Sequence, residues 1–151
     1  MRKLIDYSQS RVRAAIAAIP DGVYYGEDAV DDDGITDEPL VVKAKVTVAG
    51  DTIEIDYDGT CAQVSRNLNC PFSSTLSAAL TAVKTTLTSA DIPFTEGLKK
   101  QIRVRAPEGT LVNPNYPAPV RARMEAAYRC FNAVVKAYAA AMKAVDPTVK
   151  I

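Results

Sequence analysis

No histidine occurs in the 151 residues of this chain. Ser-His and Cys-His catalytic pairs are therefore impossible within it, and so are histidine metal ligands. Any chemistry it performs alone must use carboxylates, lysine, tyrosine, cysteine or backbone groups. A surplus of one charge is missing too. Lys plus Arg and Asp plus Glu stand at 18 each, which lacks the basic excess usual in a nucleic-acid binder. No apolar run approaches the roughly 20 residues that span a bilayer. The start "MRKLIDYSQS" has a positive beginning but no apolar stretch behind it, so it does not read as a signal peptide. Cysteines number three, without CxxC spacing, which suggests reduced thiols in a cytoplasmic protein. Neither a Walker loop nor GxGxxG occurs, so no phosphate cradle of known type is present. A serine-lysine SxxK pair fails as well, because Thr81 stands three before Lys84.

What remains is the composition of an ordinary soluble domain, 48% hydrophobic and 24% charged. Residues 1–151 suffice for a single domain with its own core, without metal or disulfide staples. From Leu4 to Ile19, apolar residues at Ile5, Val12, Ile16 and Ile19 share one helical face, and "PDG" ends the helix. "VYYGEDAV" reads as a strand leading into the acidic loop "DDDGITDEP". The segment "VVKAKVTVAGDTIEIDYDG" forms a hairpin about a Gly50-Asp51 turn. That turn pairs Val48 with Ile53, Val46 with Ile55 and Ala44 with Tyr57 on one face. On the other it pairs Thr47 with Glu54, Lys45 with Asp56 and Lys43 with Asp58. One register thus yields an apolar face and an oppositely charged face together, and a slip by one residue would bury the charges.

Pro71 to Leu87 reads as a helix whose buried stripe is Phe72, Leu76, Leu80, Val83 and Leu87. "SADIPFTEG" breaks it, "KKQIRVRAP" alternates as a half-exposed strand, and "PEGTLVNPNYPAP" is a loop. The last helix is expected from about Val120 to Val145. Met124, Tyr128, Phe131, Val135, Tyr138, Met142 and Val145 make a heptad-like apolar seam, flanked by Ala127, Ala133, Ala137, Ala140, Ala141 and Ala144. The preferred reading makes it the core helix of the domain, over a helix facing a partner. The expected fold is α+β: an antiparallel sheet with a central hairpin, covered by the N-terminal helix and two longer helices.

The acidic run from Glu27 to Glu38 holds seven carboxylates and raises the question of calcium. Aligning an EF-hand loop on Gly34 puts Ala29 first and Leu40 last, neither of them a carboxylate ligand, so a solvated turn is preferred. Cys61, Cys70 and Cys130 cannot complete a four-ligand zinc site, and inert thiols are preferred over a nucleophile. Arg103, Arg105, Arg121 and Arg123 could surround one anion if the strand and last helix are neighbours. Arg121 and Arg123 are expected in the first turn of that helix, where free N–H groups also favour anions.

The order of "IPDGVY", "EDAVDDDG", "IDYDGTCAQV", "NLNCP", "DIPFTEGLKKQIRVRAPEGTLVNPNYPAPV" and "RARMEAAYRCFNAV" resembles the hydantoinase B/oxoprolinase family over nearly the whole chain. "DIPFTEG" followed by "APEGTLVNP" is the most specific part. The resemblance implies a domain or partial subunit of an ATP-dependent amidohydrolase acting on a cyclic amide, inactive alone. Ketone carboxylation and a non-catalytic assembly role are the alternatives. A hydantoinase A-type ATPase subunit would be the partner, together with the rest of the B-type subunit, and ATP and a divalent metal are implied for the complete complex. Subunits of this type are several times longer, and their His/Asp metal motif has no counterpart here, so the chain resembles an internal part of one. The chain also departs from them at "RARM", where many hydantoinase-like members carry a glycine-rich, asparagine-containing stretch. No residue is assigned a catalytic or metal role. Gln63, Asn69, Asn113, Arg121 and Arg123 are the candidate ligand-facing residues, although the loop from Asp58 to Cys70 reads first as architecture.

Overall fold

A computed structural model describes residues 2–145 and Thr148. Its sheet has the order β1 (Gly22–Val30), β2 (Leu40–Ala49), β3 (Thr52–Asp56) and β4 (Ile102–Arg105). The first two junctions are antiparallel and the β3–β4 junction is parallel. The α+β class therefore holds, with one parallel pair in a mostly antiparallel sheet. Pairs Val48–Ile53, Val46–Ile55, Thr47–Glu54 and Lys45–Asp56 stand in the expected register. Gly50 has φ of +59° at the first central turn position, which fits the type II′ turn that a right-twisted hairpin favours. The expected pairs Ala44–Tyr57 and Lys43–Asp58 fall beyond the ladder, which ends at Asp56. There Tyr57 donates its N–H to the Arg105 carbonyl at 3.0 Å, and Lys43 donates its N–H to the Thr60 hydroxyl at 3.1 Å.

The sheet has two unlike faces. Val42, Ala44, Val46, Val48, Ile53, Ile55 and Tyr57 are buried on one. The other carries Lys43, Lys45, Glu54, Arg103 and Arg105, with Glu54 3.9 and 4.0 Å from the two arginines. Helix α1 (Arg2–Ala17) ends two residues before Ile19, buries Val12 and Ile16, and packs chiefly on α3 (Glu96–Lys99). That four-residue helix was not expected, being too short to show a hydrophobic period. Thr95 caps it, its hydroxyl accepting the Gly97 N–H at 3.2 Å. Gly97 lies directly under α1, where an added Cβ would collide with the Ile5 carbonyl. The "DIPFTEG" stretch thus has a packing reason for its glycine.

Helix α2 (Phe72–Leu87) and helix α4 (Met124–Val145) lie side by side, with α4 against β1 and β2. The inward faces of both helices differ in part from the expected seams, α2 keeping Leu80 and Val83. In α4 the buried stripe is Ala126, Ala127, Cys130, Ala133, Val134, Ala137 and Ala141, whereas Met124 and Tyr128 of the expected seam are 49% and 58% exposed. The side chain of Ala144 lies outside the described residues. Likewise α2 buries Thr75, Ala79, Leu80, Ala82 and Val83, and leaves Phe72, Leu76 and Leu87 only half-buried. The cause is close approach. Gly26 of β1 sits beneath α4 where an added Cβ would collide with the Ala133 carbonyl and lie 2.6 Å from the Ala137 nitrogen. A helix that near the strand can turn only small side chains inward.

A polar clamp fixes the same contact. Asp28, on the helix-facing side of β1, accepts hydrogen bonds from Asn132 at 2.8 Å, Lys136 at 3.0 Å and Arg129 at 3.3 Å. Burial raises its pKa, but the bonds from Asn132, Lys136 and Arg129 together outweigh that and hold the carboxyl below the ordinary 3.8. A depressed carboxyl contributes stability above its unfolded pKa and loses it as pH falls through the folded value. Asp28→Asn is therefore expected to lower unfolding stability at pH 7 by roughly 1–2 kcal/mol. Urea titrations should show the gap from the native protein closing below about pH 4. A gap unchanged down to pH 2 would mean that the clamp's charge contributes nothing.

Candidate functional site

The loop Asp58–Cys70, which follows β3, folds against the Pro-rich loop after β4, and backbone bonds zip the two together. Cys61 O accepts the Leu111 N–H at 3.0 Å, Gly109 O accepts the Gln63 N–H at 2.9 Å, and Leu111 O accepts the Cys70 N–H at 2.7 Å. Asn67 O accepts the Ala122 N–H at 2.8 Å, which ties the entry of α4 to the same knot. Glycine at 59 and at 109, with φ of +82° and +78°, supplies left-handed turns that other residues rarely adopt.

Three of the candidate ligand-facing residues hold this knot. Gln63 Oε1 accepts the Asn115 N–H at 2.7 Å. Asn113 Nδ2 donates to the Ala106 carbonyl at 2.9 Å. Asn69 is fully buried, and its Oδ1 accepts the Val64 N–H at 2.9 Å. Its Nδ2 donates to the carbonyls of Val64, Arg66 and Pro119 at 2.8, 2.9 and 2.9 Å. These amides replace the missing regular secondary structure of two loops, a role that needs no ligand.

The arginines lie differently from the expectation. Arg121 and Arg123 are exposed and occupy a turn that precedes α4, which begins at Met124. Arg123 lines a groove of about 430 Å³ between α2 and α4, with Ser74, Ser77, Thr81, Met124, Tyr128 and Phe131. Arg103 and Arg105 stand on the outer sheet face beside Glu54, on the side away from α4. The sheet itself separates the two pairs, so four arginines do not surround one anion. The acidic loop is a pair of Asx turns. Asp32 accepts the Gly34 N–H at 2.7 Å, and Asp33 accepts those of Ile35 and Thr36 at 2.8 Å each.

Beneath the knot lies a thiol-bearing core that composition alone did not locate. Thr75 donates its hydroxyl to the Val112 carbonyl at 2.7 Å and lies 3.4 Å from the Cys70 sulfur. Tyr57 donates to the Cys130 carbonyl at 3.2 Å. Burial raises the Cys61, Cys70 and Cys130 thiols, Cys130 furthest, with neighbouring Cys70 adding to it. Thiolate is the reactive form, so a thiol reagent at pH 8 is expected to label the half-buried Cys61 alone in native protein and all three cysteines after denaturation. Rapid native labelling of Cys70 would contradict the inert assignment.

Among the described residues no group of three or more Cys, Asp or Glu side chains could hold a metal ion, and no histidine exists to add. The donors of the described residues do not assemble a divalent metal site. No helix of the described residues is long and apolar enough to cross a membrane.

Comparison with known proteins agrees with the order of these elements. A protein assigned as the B-type component of a D-/L-hydantoinase in Pseudomonas sp. (strain NS671) is 34% identical over 147 residues, 91% of this chain and 25% of its own length. The 5-oxoprolinase of Saccharomyces cerevisiae is 33% identical over 99 residues, 64% of this chain and 7% of the yeast protein. The crystal structure of the ATP-dependent caprolactamase from Pseudomonas jessenii superposes with a TM-score of 0.84 over 93% of this chain and 24% of that one, at 26% identity. An acetone carboxylase shares the fold alone, with a TM-score of 0.64 at 19% identity over 79% of this chain and 17% of that one. The chain thus spans about a quarter of the hydantoinase component and of the caprolactamase. The hydantoinase B/oxoprolinase family matches residues 1–148, and the chain belongs to it.

Proposed function

We propose that this chain is a structural and substrate-side part of an ATP-dependent amidohydrolase that opens a cyclic amide, inactive by itself. The observation that carries the reading is the likeness to the caprolactamase over 93% of the chain, since caprolactam is a cyclic amide. A stable lactam needs activation, and ATP hydrolysis by a hydantoinase A-type partner would supply it. The metal and nucleotide donors would come from that partner and from the rest of the B-type subunit, since the described residues assemble no metal-binding set. What its own residues contribute is a rigid knot of loops, built by Gln63, Asn69 and Asn113, that presents Arg121 and Arg123 at the entry of α4. Guanidinium groups there suit an anionic intermediate or the carboxylate released by ring opening.

The test is reconstitution with an A-type ATPase and the remaining B-type regions, followed by assay of ATP-coupled ring opening on hydantoin, 5-oxoproline and caprolactam. The reading expects no turnover by the chain alone and turnover by the complex. Arg121→Ala with Arg123→Ala should lower turnover at least tenfold while assembly persists. An assembled complex that opens no ring but consumes a ketone only when bicarbonate is present would replace this reading with carboxylation.

A further inference from the structure

The apolar face shared by α2 and α4 is uncovered, and its chemistry differs from that of a surface made for water. Met124 and Tyr128 are 49% and 58% exposed. Phe131 and Ala78 line the same groove. Solvent-facing helices normally carry charges, yet the 16 residues of α2 include one, Lys84. Two of its exposed hydroxyls are already bonded within the helix. Ser77 donates to the Ser73 carbonyl and Thr85 to the Thr81 carbonyl, each at 2.9 Å. Groups satisfied in that way can be removed from water at little penalty. The opposite sheet face, with its lysines, arginines and Glu54, is by contrast far more densely charged.

We infer that the α2–α4 face is a docking surface for the rest of a B-type subunit, meeting it through an apolar, sparsely charged patch centred on Tyr128. This rests on the functional reading above and specifies the partner's chemistry. The caprolactamase and the hydantoinase relative carry this fold as about a quarter of one longer polypeptide. Neighbours in one chain meet at high effective concentration, so a modest interface suffices. Two helices about 10 Å apart and about 24 Å long offer on the order of 500 Å² per side, about 1,000 Å² in total. That lies within the usual range for interfaces between domains of one chain.

Hydroxyl-radical footprinting of two samples tests it: the isolated chain, and a chimera in which this chain replaces the matching quarter of the Pseudomonas sp. protein. Met124 and Tyr128 should be labelled readily in the isolated chain and at least tenfold less in the chimera, with Tyr25 on the outer sheet face changing little. Equal labelling in both samples overturns the proposal. So does protection in the isolated chain that fades on dilution, which would identify a second copy as the occupant. A second measurement does not depend on the chimera folding. Tyr128→Glu should leave the melting temperature of the isolated chain unchanged, and a drop of more than a few degrees would assign Tyr128 to the chain's own fold and overturn the proposal. Ring opening by the chimera is scored separately, so protection without turnover would refute the enzymatic reading and leave the docking surface standing.

Discussion

Gly26→Ala is expected to destabilise this protein by about 3 kcal/mol, the upper part of the range for overpacking a filled interior. In a domain of this size that lowers the melting temperature by roughly 6–12 °C. The added methyl would meet two backbone groups, the Ala133 carbonyl and the Ala137 amide. Backbone inside a helix cannot swing aside as a side-chain tip can, so all of α4 must lift from β1. Lifting it stretches the Asp28 bonds to Asn132 and Lys136 as well. Gly22→Ala on the same strand is the control, because its methyl would meet only the movable ring of Tyr24, at 3.2 Å or more. Thermal melts of the two variants decide the matter. Similar losses in both would mean that strand propensity, and not the helix contact, governs β1.

Asn69→Ala is the second large effect. The substitution strands one N–H donor and three carbonyl acceptors in a fully buried place. Each unsatisfied buried group costs about 1–3 kcal/mol where water cannot reach it. Partial relaxation of the loop leaves an expected net loss of roughly 3 kcal/mol. Asn69→Asp should be no better, since a carboxylate can accept from Val64 but cannot donate to Val64, Arg66 and Pro119. Denaturant unfolding measures the loss. A variant as stable as the parent, with only ligand recognition changed, would make Asn69 a contact residue and not a structural one.

The contrast between α4 and the hairpin explains how far the amino-acid order could be read. The hairpin register was legible because two independent patterns, apolar on one face and opposite charges on the other, demanded the same alignment of Val46 with Ile55. In α4 only one pattern was visible, and size misled it. Large residues dominate a hydrophobic period, but the depth of the groove above Gly26 admits Ala133 and Ala137 and turns Tyr128 outward. Nothing local in the chain announces that a glycine and an alanine separated by more than a hundred positions will touch. The knot was hidden for another reason. Its bonds run between backbone groups such as Cys70 and Leu111, and backbone bonds leave no periodic trace in side-chain order. Glycine and asparagine in "DGT", "NLNCP" and "LVNP" marked where the turns lie, not which loop each would join. The four arginines were grouped by nearness of strand and helix, and the two faces of the sheet divided them.

The clamp between Asp28 and Asn132 joins positions 104 apart, and that spacing bears on how the protein is made. At about 5–20 residues per second, a ribosome needs roughly 5–20 s to travel from one partner to the other. Early in that interval β2 and β3 are completed, and the hairpin can close within microseconds. Its apolar side, Val42, Val46 and Ile55, then waits without its cover until α4 emerges. A nascent chain paused before Met124 would display this sheet to chaperones, and to other nascent copies of itself.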